Sequence, residues 1–394
     1  MYEDKCVVIG VTGGIAVYKA LDVISALRKK GIKTKVIMTE SATKFVTPLT
    51  FQSISQNMVI TDMFAEPKAW EIQHISLAQE ADIMLIAPAT ANVIGKVANG
   101  IADDMLTTTI MATKAKVIFS PAMNTNMYEN PIVQENIEKL KRFGYEFIEP
   151  DSGRLACGDI GKGKLPKPEV IVDEVLKNLY PKKDLVGKKV LVTAGPTKAP
   201  IDPVRYITNR STGKMGYAIA TEARDRGAEV TLISGADFLE CPKGIELINV
   251  QTNSEMREEV LKHYKTSDIV IKSAAVADYK PKNYSKEKIK KTGDDLKLEL
   301  ERDNDILLEL GKLKKNQILV GFAAESNSLL ENANKKLKNK NLDFIVANDI
   351  TSKETGFGSD NNKVFIISKN GKVNELDTMS KRDVARSIFD NILE

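Results

Sequence analysis

Short uninterrupted apolar runs alternate along most of the chain with stretches whose apolar residues recur at helical spacing. Such runs suit strands buried on both faces, and the alternation predicts a parallel sheet with crossover helices. In the first half, CVVIGV, TKVIM, DIMLIA and KVIFS read as strands, with helices over 15–30 and 126–143. Gly31 and Gly144 follow those helices, where a chain commonly closes on a left-handed residue. The pattern weakens after Pro150. Residues 151–168, rich in glycine, proline and charge, read as a mobile loop, and a long polar loop in a compact domain usually serves as a lid. A helix over 169–179 ends the unit.

The same logic restarts at KKVLVTAG, followed by a helix over 212–227 and the runs AEVTLISG, DIVIKSAA, QILVGFAAE, DFIVAND and KVFIISK. There is no short internal repeat. The expected organisation is a domain over 1–180, a linker over 181–189 and a domain over 190–394. Each domain is an α/β unit of the doubly wound, Rossmann-like kind, with ligands at the C-terminal ends of its strands.

Composition narrows the class. Hydrophobic residues at 42% and charged residues at 28% fit a soluble globular protein. The net charge of +4 argues against nucleic acid or an anionic membrane as partner, although lysines cluster at 286–291 and 335–340. The N-terminus does not read as a signal peptide, and no apolar stretch approaches the roughly 20 residues of a membrane span. Cys6, Cys157 and Cys241 suggest no disulfide framework, and with only His74 and His263 a zinc site is not expected. A reducing, cytoplasmic setting follows.

In the first half, VTGGIAVYK runs from a strand through Gly13 and Gly14 into a helix. Glycines there let an anion approach free N–H groups, though a plain tight turn fits equally well, and the dinucleotide fingerprint GxGxxG is absent. PATAN (88–92) and PAMNTNM (121–127) follow strands and sit where a wound sheet exposes its loops; ordinary turn chemistry is the alternative for each. His74 opens an amphipathic stretch and has a pKa suited to general base work. Cys157, among glycines and near Lys162 and Lys164, is poorly placed for core packing, whereas Cys6 reads as a small buried hydrophobe.

In this order, VTGGIAVYKA, His74, PATAN, PAMNTNM and ACGDIGKGKL resemble the flavin-dependent cysteine decarboxylases acting on phosphopantothenoylcysteine. The resemblance implies a flavodoxin-like flavoprotein half with FMN among Gly13, Gly14, Thr39, Ala89, Thr90 and Asn92. It implies His74 as base, Asn124 as substrate-carboxylate ligand and Cys157 as proton donor on the lid. The chemistry is coherent: decarboxylation beside an ordinary thiol lacks an electron sink, and oxidation to a thioaldehyde supplies one. One departure is Tyr128, where the family pattern PxMNxxMW has tryptophan.

In the second half, TAGPTKAPIDP continues into VRYITNRSTGKMG, placing Ser211, Thr212 and Gly213 at a helix start ready for an anion. It is not a P-loop, since Met215 follows Lys214. KSAAVAD (272–278), EKIKK (287–291) and GFAAE (321–325) follow or flank strands, and Lys336 and Lys340 share a helix face. A solvated surface is the alternative reading of the lysine run.

This ordered set resembles phosphopantothenate–cysteine ligases. The resemblance implies a Rossmann-like ligase half in which Asn209 and Arg205 engage the acyl intermediate. Lys272, Ser273, Ala274, Asp278, Lys288, Asn304, Asp305, Ile306, Leu307, Phe322, Lys336 and Lys340 would surround CTP, with Lys288 also catalytic and Mg2+ (or Mn2+) assisting through ligands the sequence does not identify. Together the halves resemble the bifunctional phosphopantothenoylcysteine decarboxylase/phosphopantothenate–cysteine ligases. The expected substrates are 4'-phosphopantothenate, cysteine and CTP. The expected assembly is a homo-oligomer, with decarboxylase trimers and ligase dimers. Two rivals are a flavin-binding regulatory subunit, against which stand the missing acidic tail and the joint presence of His74, Asn124 and Cys157, and an enzyme with one live half.

Overall fold

The computed structural model describes residues 2–64, 72–156, 158–291, 296–325, 328–349 and 358–394, with the backbone alone for 325 and 349. It divides into two compact units, Met1–Pro181 and Lys182–Glu394.

In the first unit, β1 (Cys6–Val11), β2 (Lys33–Met38), β3 (Val59–Ile60), β4 (Ile83–Ala89), β5 (Lys116–Pro121) and β6 (Glu146–Phe147) pair in parallel, in the order β3-β2-β1-β4-β5-β6. This is the expected doubly wound arrangement. The order is that of a doubly wound, Rossmann-like sheet, with the two-residue β3 as an added edge. Every residue of β1 is buried. Successive side chains of a strand face opposite ways. Val7, Ile9 and Val11 therefore join one core, with Val23 and Leu27 of the helix Lys19–Lys29, while Val8 joins the other, with Met84, Ile86 and Phe119.

Three local expectations are revised. Residues 15–18 form a 3-10 turn before that helix. The helix expected over 126–143 is two, Thr125–Glu129 and Pro131–Arg142. Pro131 has no N–H and drives Asn130 out of helical backbone (φ −57°, ψ 127°), and Asn130 then caps the second helix by accepting from the Ile132 N–H at 3.0 Å. Finally, 151–168 is not a plain loop. It holds an antiparallel hairpin of β7 (Asp151–Arg154) and β8 (Ile160–Lys164), followed by the helix Pro168–Leu179.

In the second unit, β9 (Lys189–Ala194) is followed by the ribbon β10 (Lys198–Pro200) and β11 (Tyr206–Thr208), then β12 (Glu229–Ser234), β13 (Glu246–Asn249) and β14 (Ile269–Lys272). A second ribbon joins β15 (Tyr279–Pro281) and β16 (Leu300–Arg302); β17 (Ile318–Glu325), β18 (Phe344–Asp349), β19 (Asn361–Ser368) and β20 (Val373–Ser380) complete the set. The main sheet runs β13-β12-β9-β14-β17-β18-β19-β20, its last two strands antiparallel. The helix Lys214–Asp225 lies close on β9, where a Cβ on Gly216 would fall 2.5 Å from that of Ala194.

Part of the segment read as linker packs into this unit. Leu185 is fully buried in its core, Asp184 pairs with the buried Arg226 at 3.1 Å, and Lys182 pairs with Asp390 at 2.7 Å.

Candidate active sites

In each main sheet the winding reverses beside the first strand, between β1 and β4 and between β9 and β14. Crevices open at such points beyond the strand ends, and each unit has a cavity there.

In the first unit β1 runs out through Thr12, Gly13 and Gly14. The buried Thr12 hydroxyl donates to the Pro88 carbonyl at 2.7 Å and accepts from the Thr90 N–H at 3.0 Å, stitching the turn after β4 to the turn after β1. The Ala87–Pro88 bond is cis. The two glycines differ in what they leave room for. A Cβ at Gly13 would lie 2.4 Å from the Ser41 Cβ, so Gly13 is needed for packing; at Gly14 the nearest atom would be the Thr90 methyl at 4.0 Å. Gly14 thus leaves open space on a cavity of about 470 Å³.

The opposite wall is the loop 122–127 and the hairpin. Gly161 and Gly163 let the hairpin lie flat on that loop, since a Cβ at Gly163 would fall 2.3 Å from the Met123 carbonyl. The Met123 N–H donates to Gly163 O at 3.0 Å. Asn124 donates from Nδ2 to Asp159 at 2.7 Å and accepts the Asn126 N–H at 2.8 Å. Asn124 therefore joins the loop to the hairpin's turn.

Gly13, Gly14, Thr90 and Asn124 line this cavity. Thr39, Ala89, Asn92 and His74 are not on its wall. Thr39 caps a short helix, Ala89 is fully buried, Asn92 is exposed, and His74 lies half-buried in the first turn of the helix Gln73–Glu80. Cys157 lies outside the described residues. Tyr128 is a core residue, 6% exposed, whose hydroxyl donates to Glu149 at 3.2 Å, so the departure from tryptophan falls behind the cavity wall. Of the cations on this wall, sequence reasoning noted Lys164 only beside Cys157 and missed Lys19 and Arg154. For Arg154 and Lys164 the long side chains between small ones in GRLACGDIGKGK are the signal.

The second cavity, about 960 Å³, opens at the ends of β14, β17 and β18. The helix Lys214–Asp225 presents its N-terminus here. Gly213, at φ +83°, makes no side-chain cap, leaving the first-turn N–H groups open to an anion. Asn209 donates to the Ala275 carbonyl at 3.0 Å, while Thr193 and Thr197 accept the Ala274 and Ala277 N–H groups at 3.1 and 3.0 Å. The loop after β14 is thereby fixed. Lys340 pairs with Asp305 at 2.9 Å. Lys272, at the end of β14, is pushed down to about 7 by burial, with Lys340 adding to the shift.

Asn209, Lys272, Ser273, Ala274, Asp278, Asn304, Asp305, Ile306, Leu307, Phe322, Lys336 and Lys340 all line this cavity. Arg205 and Lys288 do not. Lys288 is exposed. Arg205 binds the buried carboxylate of Asp202 through Nε at 3.0 Å and the Ile289 carbonyl at 2.8 Å, and Asp202 also accepts the Ile289 N–H at 3.1 Å. Ile289 is held at both its backbone polar groups. Sequence reasoning missed Lys381, Asn348 and Asn362. Among the described residues the amide oxygens of the two asparagines are buried without a partner, acceptors that a ligand's N–H or O–H would satisfy. Asn348 lies in the run DFIVAND, but no pattern in the sequence marks Asn362 or joins the two, because they come from separate strands.

Among the described residues no cluster of His, Cys, Asp or Glu is arranged to hold a metal ion, and no helix is long and apolar enough to cross a membrane.

Comparison with known proteins is consistent along the whole chain. The family model "Flavoprotein" matches residues 1–180, and "DNA/pantothenate metabolism flavoprotein C-terminal domain" matches 185–394. The coenzyme A biosynthesis bifunctional protein CoaBC of Bacillus subtilis is 54% identical, covering 100% of this chain and 97% of its own. That of Borreliella burgdorferi is 47% identical, covering 99% of each. Among solved structures, the C-terminal domain of a CoaBC protein is 46% identical, covering 53% of this chain and 95% of its own, with a TM-score of 0.46.

Proposed function

The chain belongs to the family of coenzyme A biosynthesis bifunctional proteins, and from that membership we propose how its two units divide the chemistry. It is a bifunctional enzyme of coenzyme A biosynthesis, with a flavoprotein decarboxylase half and a ligase half.

The second unit joins 4'-phosphopantothenate to cysteine. A carboxylate is a poor acyl donor, so its oxygen first attacks the α-phosphorus of CTP, forming an acyl-cytidylate and releasing pyrophosphate. The cysteine amine then attacks the acyl carbon, the amide forms and CMP leaves. The helix N-terminus at Gly213 binds the substrate's phosphate, and Lys272, Lys336 and Lys340 face the triphosphate with Asp278 and Asn304–Leu307 around the nucleoside. Asn209 stands by the acyl group. Arg205, held by Asp202, positions the segment that carries Lys288. Magnesium, when bound, offsets charge on the departing pyrophosphate. The convergence of the expected nucleotide residues on one large cavity carries this reading.

The first unit decarboxylates phosphopantothenoylcysteine to 4'-phosphopantetheine. The open space at Gly14 and the small residues beside it suit a planar ring, so the cavity fits FMN. FMN, when bound, supplies the two-electron acceptor and donor that the decarboxylation needs. Asn124 holds the substrate's carboxylate, His74 serves as base, and Cys157 returns the proton. His74 stands off this wall, and Ile15 and Tyr18 of the cavity are exposed, 63% and 55%. Both observations favour a first-unit site completed by another copy; the homo-oligomer of decarboxylase trimers and ligase dimers rests on the resemblance. Thiol substrates suit a reducing cytoplasm.

The test is a mass-resolved assay of FMN-loaded protein with phosphopantothenate, cysteine, magnesium and each nucleotide in turn. Phosphopantetheine formed with CTP and no accumulation of phosphopantothenoylcysteine, with Cys157→Ser stalling instead at the decarboxylated enethiol, is the expected result. Accumulation in the wild type removes the decarboxylase assignment and favours the regulatory reading; no product with any nucleotide removes the ligase assignment.

A further inference from the structure

A buried ammonium is almost always paired. Lys272 is 7% exposed, yet among the described residues its side chain makes no hydrogen bond or ion pair. It closes β14 with Thr193 and Gly321 as its register partners, neither of which carries charge. The charged groups facing it are Asp278 on the following loop, Asp305 at the start of the helix Ile306–Leu313, and Lys340 at the end of the helix Leu329–Asn339. Asp305 is already engaged by Lys340. The side chain lines the large cavity.

Building on the ligase reading, the geometry points to Lys272 as a proton-coupled phosphate ligand, an amine that takes a proton from solvent as the nucleotide's polyphosphate arrives. In the free protein, burial first and Lys340 second push the ammonium down to about 7, so at pH 8 the side chain is mostly neutral. A polyphosphate restores the missing counter-charge and raises the amine back toward its ordinary range. Binding then consumes a proton, and affinity falls as pH rises above 7, by up to about tenfold per pH unit.

Calorimetric titration of the full-length protein at pH 8, in two buffers of different ionisation enthalpy, counts the protons. Magnesium-CTP and magnesium-pyrophosphate are the probes. At this pH the terminal phosphate of CTP, with a second ionisation near 6, is itself deprotonated, and the proton count for pyrophosphate is corrected by its own titration in the same magnesium buffer. The wild type is expected to take up about one proton per site with either probe. Lys272→Met binds more weakly, with no uptake and a flat pH profile. Lys272→Arg, charged throughout, binds tightly with no uptake, which separates charge from folding. Binding of both probes without uptake in the wild type, or uptake preserved in Lys272→Met, overturns the proposal. Binding of pyrophosphate with uptake but no binding of CTP supports the proposal and removes the CTP reading; binding of neither overturns both.

Discussion

Adjacent glycines at 13 and 14 are expected to respond in opposite ways to the same added methyl group. In Gly13→Ala the new Cβ would lie 2.4 Å from the Ser41 Cβ and 3.0 and 3.2 Å from the Ser41 carbonyl carbon and Cα. Ordinary contact begins near 3.5 Å, and the opposing atoms belong to or adjoin the backbone, so no rotamer change relieves the clash. Overpacking of this kind costs about 1–3 kcal/mol, and the upper end applies here. In Gly14→Ala the backbone is extended (φ −159°, ψ 157°) and the nearest atom is 4.0 Å away, so no strain arises. Its methyl projects toward the cavity. Urea unfolding of the first unit should show Gly13→Ala destabilised by about 3 kcal/mol and Gly14→Ala unchanged within about 0.5 kcal/mol. Flavin titration should show the reverse order of damage, with Gly14→Ala weakening FMN at least about tenfold. Wild-type stability in Gly13→Ala, or full flavin affinity in Gly14→Ala, would refute the division of roles.

Arg205→Ala leaves the Ile289 carbonyl without its donor; steady-state kinetics should show the nucleotide KM raised about tenfold, the worth of one charged hydrogen bond, with kcat little changed. A fall in kcat alone would instead put Arg205 in contact with the reacting acyl group. Burial pushes the Asp343 carboxyl up, but hydrogen bonds from Lys314, Lys369 and the Leu319 N–H outweigh it and hold it below the carboxylate range. Its contribution is therefore complete above an unfolded pKa near 3.9 and disappears as pH falls through the folded value. Asp343→Asn should cost about 3 kcal/mol at pH 7 by chemical denaturation, a gap that closes below about pH 4. Tyr128→Phe removes one hydrogen bond to Glu149, which keeps Lys162 at 2.6 Å; a loss of about 1 kcal/mol or less with decarboxylation unchanged is expected from thermal unfolding and product assay.

Both sheets were legible because their central strands are buried on two faces and their apolar runs are unbroken, as in CVVIGV. Edge strands β3 and β6, two residues each, carry too little pattern to be seen. The break at Pro131 could have been read, since proline excludes helix for the residue before it. The hairpin over 151–164 could not, because its glycines serve a contact with a loop some 40 residues earlier in the sequence. The second cavity followed from motifs at strand ends, whereas Arg205 looked like a ligand although Nε and one terminal nitrogen of its guanidinium are engaged by Asp202 and Ile289 and it lies off the cavity wall. The amide oxygens of Asn348 and Asn362, without a partner among the described residues, gain meaning only from tertiary placement.

The burial of Leu185 and the ion pairs of Lys182 and Asp184 define a seam. A gene split after Pro181 would give each product its own complete core, whereas a split four residues later would strip a plug from the ligase and leave Arg226 short of a counter-ion. Fusion and fission between the two activities are therefore tolerated only at a narrow junction. Chimeras that exchange decarboxylase halves between relatives should be joined there, with Lys182 carried on the ligase side.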